Sequence, residues 1–78
     1  MNKSRFSADH IRVLASWSEK LGLAEYRISL FNLYQRMVIT NAVTDEEITS
    51  SAMSAIQVIR DVEPNKEMFY HTMTAWGL

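Results

Sequence analysis

The segment from Leu23 to Ile39 constrains this chain more than any other, because it has helix length and is apolar around most of its circumference. At about 100° per residue, Leu23, Tyr34, Val38, Phe31, Ala24, Ile28 and Ile39 sweep one way from Leu23. Leu30, Met37, Tyr26 and Leu33 sweep the other way, and Asn32, Glu25, Arg36, Ser29 and Thr40 leave only a narrow polar strip. A surface helix carries one apolar stripe, whereas a helix apolar nearly all round is surrounded by protein. Either the other helices wrap this segment, or a second chain covers part of it. Its composition points to a protein that works by contact.

The rest of the chain offers little material for wrapping. Its 78 residues suit one domain, residues 1–78, near the size where a single core gives only a few kcal/mol of net stability. Hydrophobic residues make up 47%, against two glycines and one proline, which is the composition of an ordered globule. The absence of cysteine excludes a disulfide framework and a thiolate metal site. The stretch Met1–Ser7 lacks the apolar run of a signal peptide, and no apolar run approaches the ~18–20 residues of a membrane span. A soluble, cytoplasmic protein without membrane contact is expected.

The net charge of −1 conceals a division. Residues 1–36 carry six basic and three acidic side chains, and residues 37–78 carry two basic and six acidic. Such polarity can steer an encounter or favour pairing between chains, although a chance distribution on solvated faces is the simpler account. It speaks against a strongly acidic DNA mimic and against a strongly basic nucleic-acid clamp.

Periodicity and capping signals predict an all-α chain, a small four-helix bundle-like domain with the largely apolar second helix at its centre. Ser7 caps a first helix over 8–21, with Ile11, Leu14, Trp17 and Leu21 on one face. Gly22 is placed as its left-handed C-cap, with Leu23 able to make the accompanying apolar contact. The second helix is expected over 23–40. Thr44-Asp45-Glu46-Glu47, flanked by Val43 and Ile48, reads as a capping box with a hydrophobic staple. It opens a third helix, 45–62, with Ile48, Ala52, Ala55, Ile56, Ile59 and Val62 on one stripe. Pro64 ends that helix. Pro64 or Asn65 opens a fourth, 65–76, carrying Met68, Phe69, Met73 and Trp76, and Gly77 closes it. No stretch alternates as a strand does.

Catalytic and metal-binding patterns are missing. There is no glycine-rich phosphate loop and no pair of histidines on one helix face, so no catalytic residue, metal site or cofactor is expected. Glu67 and His71 stand four apart on the fourth helix. That spacing could orient a base or share a metal, but two ligands fall short of a zinc site and a surface pair is the commoner outcome. His10 falls inside the apolar stripe of the first helix, where a structural histidine with one satisfied nitrogen is the simpler reading.

Arg27 is the sharpest anomaly, lying between Tyr34 and Val38 within the apolar arc. A guanidinium buried without a partner is strongly unfavourable, so it must snorkel, pair with a carboxylate or meet another molecule. Arginine, tyrosine and tryptophan are enriched at interface centres. Tyr26, Arg27, Phe31 and Tyr34 are therefore candidate partner-binding residues. Met53 joins them because it stands off the main stripe of the third helix.

A nucleic-acid reading competes with this one. Trp17, Ser18, Leu21, Gly22, Leu23, Ile28 and Phe31 have the spacing of a helix-turn-helix within residues 14–33. Its second helix would offer Glu25, Tyr26, Arg27, Ser29, Leu30 and Leu33 to the groove. Glu25 repels phosphate, and the two leucines would be wasted on solvent. The capping box and glycine caps are structural devices shared by unrelated helical proteins and carry no functional identity. The sequence thus favours a non-enzymatic module that binds a larger protein or complex, or itself as a homodimer. A small inhibitor or regulatory adaptor, of the kind carried by phages and other mobile elements, suits this description. A dimeric DNA-binding regulator is the alternative.

Overall fold

Short-range capping decides where most of the helices begin and end. The computed structural model describes residues 5–78, so part of the segment read for a targeting signal lies outside the described residues. The chain is all-α: α1 (Ala8–Lys20), α2 (Ala24–Gln35), α3 (Asp45–Val62) and α4 (Lys66–Ala75), with one turn of π-helix, Arg36–Thr40, extending α2.

At the start of α1 the Ser7 hydroxyl accepts from the His10 backbone N–H, and His10 Nδ1 accepts from the Ser7 N–H at 3.0 Å. This is a reciprocal capping box with histidine in the place usually held by Glu or Gln. Gly22, at φ +75, closes α1 in a Schellman motif. Leu23 N–H donates to Ser18 O at 2.8 Å and Gly22 N–H to Glu19 O at 3.1 Å. Gly77 repeats the device after α4, with Leu78 N–H donating to Met73 O at 2.9 Å. Thr44 Oγ1 caps α3 by accepting from Glu47 N–H at 3.0 Å, and Asn65 Oδ1 caps α4 by accepting from Met68 N–H at 3.0 Å. Glu63 is extended ahead of Pro64, which ends α3 where the sequence predicts.

The α3 stripe is buried from Ile48 to Ile59, while Val62 in its last turn is exposed. Across from it lie Ile11, Leu14, Ala15 and Trp17 of α1, with Leu30 and Leu33 of α2. α4 adds Phe69 and Met73 and docks on α1, with Trp17–Phe69 and His10–Trp76 ring centroids 5.7 and 4.5 Å apart. His10 is thus a structural residue: its ring caps α1 and stacks on the end of α4. A buried carboxylate locks the same corner. Trp17 Nε1–H donates to Glu63 Oε1 at 2.6 Å, and Asn65 N–H donates to Glu63 Oε2 at 2.9 Å. The indole N–H, seconded by the Asn65 amide, holds the Glu63 carboxyl below its ordinary 4.5.

The second helix is not wrapped. The Schellman turn folds α2 back along α1, and α3 covers a second side, but α4 is spent on α1. Leu23, Tyr26, Tyr34 and Met37 are half-buried against the core, and the opposite side of α2 meets solvent.

Candidate functional site

Of the two apolar sweeps of the second helix, one faces inward and the other outward. Leu30 and Leu33 are the buried residues of α2. Ile28, Phe31, Val38 and Ile39 are 58%, 45%, 52% and 74% exposed, with Ala24 exposed beside them. Scattered apolar side chains on a surface need no explanation, but apolar groups aligned on one side of a helix, here Ile28 and Phe31 on one side of the exposed Gln35 and Val38 and Ile39 beyond it, mark an interaction site.

The π turn sets the far end of this strip. Asn41 N–H reaches back five residues to Arg36 O at 2.7 Å, and Thr40 Oγ1 donates to the same carbonyl at 2.9 Å. Asn41 then takes a left-handed conformation, φ 55, and stops the helix. The Arg36 side chain pins this turn to its surroundings. Its guanidinium donates to both carboxylate oxygens of Glu47, at 2.7 and 3.3 Å, and to Ala42 O at 3.2 Å. Arg36 thereby joins the basic half of the chain to the acidic first turn of α3. The wide turn carries Val38 and Ile39 outward together, and single π turns recur at functional sites.

That ion pair also revises the capping box expected at α3. The Thr44 half is present, but the principal partner of the Glu47 carboxylate is Arg36, because a bidentate charged contact outweighs a reach to one backbone N–H. The guanidinium holds the Glu47 carboxyl below its ordinary 4.5. Glu47 and Arg36 line an open cleft between α2 and α3 with Glu25, Ser29, Asn32 and Ser51.

Among the predicted contact residues, Arg27, Phe31 and Tyr34 come together. Phe31 stacks on Tyr34 with ring centroids 6.3 Å apart and planes inclined by 21°. Arg27 is half-buried beside the exposed strip, and its side chain makes no hydrogen bond or ion pair among the described residues, so the expected intramolecular carboxylate partner is not there. Tyr26 turns to the core side of α2 and is half-buried there. Met53 is exposed as expected, but it sits in a depression lined by α3 residues alone, apart from the α2 strip. Ile28, Val38 and Ile39 were legible as apolar positions but not as contact residues. The usable signal was that a helix with two apolar sweeps in a short chain can bury only one of them.

Two other readings meet the structure here. Glu67 and His71 are both exposed and make no hydrogen bond or ion pair with each other, so the surface pair expected from their spacing does not form. Such pairs gain only tenths of a kcal/mol, about what ordering two long side chains costs. The helix-turn-helix spacing needs Ile28 and Phe31 inside and turns Leu30 and Leu33 outward, and the structure has the reverse. Among the described residues no three His, Asp or Glu side chains are grouped to hold a metal ion, and no helix is long and apolar enough to cross a membrane. No protein-family model, curated protein or solved structure matches the chain.

Proposed function

We propose that this protein is a non-enzymatic, cytoplasmic protein-binding module that works through the outward face of α2 and its π turn. The observation that carries the reading is the exposure of Ile28, Phe31, Val38 and Ile39 along one helix whose opposite side is buried in the core. An amphipathic helix laid against a complementary apolar surface is a recurring recognition mode, with anchors spaced along one face as these are. Phe31, backed by Tyr34 and flanked by Arg27, which is unpaired among the described residues, has the aromatic and arginine composition of an interface centre. An inhibitor or regulatory adaptor, such as mobile elements carry, acts by contact of this kind. Nothing in the α2–α3 cleft suggests a reaction, since its Arg36 and Glu47 are engaged with each other. The DNA-binding alternative draws no support from a helix whose outward face is apolar at its middle.

The test is site-specific photocrosslinking in cells that express the protein. A benzophenone side chain at Phe31 or Ile39 should form protein adducts, whereas one at Tyr70, exposed on α4, should not. Equal adducts at all three positions, or none at either α2 position, would refute the assignment of the face.

A further inference from the structure

We infer that the outward face of α2 binds the same face of a second copy of this chain, antiparallel, about a two-fold axis between Leu30 and Phe31. The inference rests on the binding-face reading above and specifies its occupant.

The outward face of α2 is self-complementary. A two-fold interface is isologous: the same patch is used by both copies, and each flank of the helix meets its own counterpart running in the opposite direction. The apolar strip of α2 is flanked on one side by Arg27 and Tyr34, two turns apart. On its other side stand Glu25, Ser29, Asn32 and Arg36. Reversal about a point between Leu30 and Phe31 sets Arg27 of one copy against Tyr34 of the other. The same operation sets Glu25 against Arg36 and Ser29 against Asn32. One axis therefore satisfies both flanks. It brings the Tyr34 ring of the other copy beside Arg27, whose side chain is unpaired among the described residues. It also brings a second carboxylate to Arg36, whose side chain is still 42% exposed beside Glu47. Phe31 meets Phe31 and Ile28 at the centre, and Ala24 meets Val38 at each end. A parallel pair about an axis along the helices would instead set the Arg27–Tyr34 flank of each copy against the Glu25–Arg36 flank of the other, and the two thiol variants distinguish the orientations. The net charge of −1 sets up no general repulsion between copies.

The exposed parts of Ile28, Phe31, Val38 and Ile39, with Gln35 between the two pairs, amount to apolar area on the order of 400 Å². A standard interface buries about 800 Å² per partner, so the strip with its polar flanks falls at the small end of that class. The association is accordingly reversible and depends on concentration.

The chain contains no cysteine, which makes engineered disulfides readable without a background. Ala24→Cys and Val38→Cys place single thiols at opposite ends of the face, at exposed positions outside the core. In the antiparallel pair each thiol is about 20 Å along the axis from its own counterpart, far beyond disulfide reach, but adjacent to the other position. Mild oxidation of a mixture of the two variants should yield the mixed disulfide dimer, and neither variant alone should crosslink. In light scattering over a concentration series, the native chain should move from monomer to dimer. Phe31→Glu should raise the dissociation constant at least tenfold with unchanged far-ultraviolet circular dichroism. Crosslinking of Ala24→Cys with itself would overturn the antiparallel geometry. A monomeric mass at every concentration would overturn the second copy as occupant. In that case, photocrosslinks from Phe31 to another protein would leave the binding face standing, whereas their absence would remove both.

Discussion

Leu30 and Phe31 are adjacent on α2 and point to opposite fates, so truncating each in turn measures how one helix is divided between core and solvent. Leu30 is 2% exposed. Returning a buried leucine side chain to water is worth about 1.5–3 kcal/mol at ~25 cal/mol per Å², and the cavity left by Leu30→Ala raises the loss to about 2–5 kcal/mol. Phe31 is 45% exposed and rests mainly on Tyr34. Only about half of its transfer energy is engaged, and truncation opens to solvent and leaves no cavity, so Phe31→Ala should lose roughly 1 kcal/mol. A domain of 78 residues has roughly 4–12 kcal/mol of stability in all. Near that size each kcal/mol shifts Tm by about 4–8 °C. Leu30→Ala should therefore lower Tm by at least ~8 °C, and Phe31→Ala by less than that. The assay is thermal and urea unfolding followed by circular dichroism, repeated across a range of protein concentrations. Association adds a stability term that grows with concentration, so a Phe31 loss that widens at high concentration reports the interface rather than the fold. A Phe31→Ala loss equal to that of Leu30→Ala and independent of concentration would refute the reasoning. The outer face of α2 would then be buried within the fold.

Two further outcomes follow from local geometry. The Glu63 and Glu47 carboxyls are both held below their ordinary 4.5 in the folded chain, so their stabilisation is present at neutral pH and is lost as pH falls through about 4.5 toward the folded values. Trp17→Phe removes the main group that lowers the Glu63 value, so acid titration of stability should show a shallower loss below that pH; an unchanged slope would separate Glu63 from the indole. Gly22→Ala should destabilise by about 1 kcal/mol in urea unfolding through the left-handed backbone alone, since a Cβ there meets nothing within 4 Å. A loss of several kcal/mol would show that the α1–α2 turn is packed more tightly than its geometry indicates.

The all-α class, the four helices and most of their ends are legible in the order of residues alone. Ser7, Gly22, Thr44, Pro64 and Gly77 act within a few residues of themselves, so their effects are readable without knowing what lies opposite. The α3 stripe was legible for a related reason: a helix with one apolar face has only one way to sit on a core. Tertiary structure alone decided which sweep of α2 turned inward, because both were apolar enough and periodicity carries no preference between them. It also decided that Glu63 would meet the Trp17 indole across 46 residues of chain, and that Arg36 would be the principal partner of the Glu47 carboxylate. The π turn belongs with these, since it is held by Arg36 contacts to a loop and a helix that periodicity cannot see. The candidate site lies where local signals were ambiguous. The glycine turn at Gly22 sets the start of α2, but its open face exists because α1 and α3 cover only two of its sides and α4 docks elsewhere.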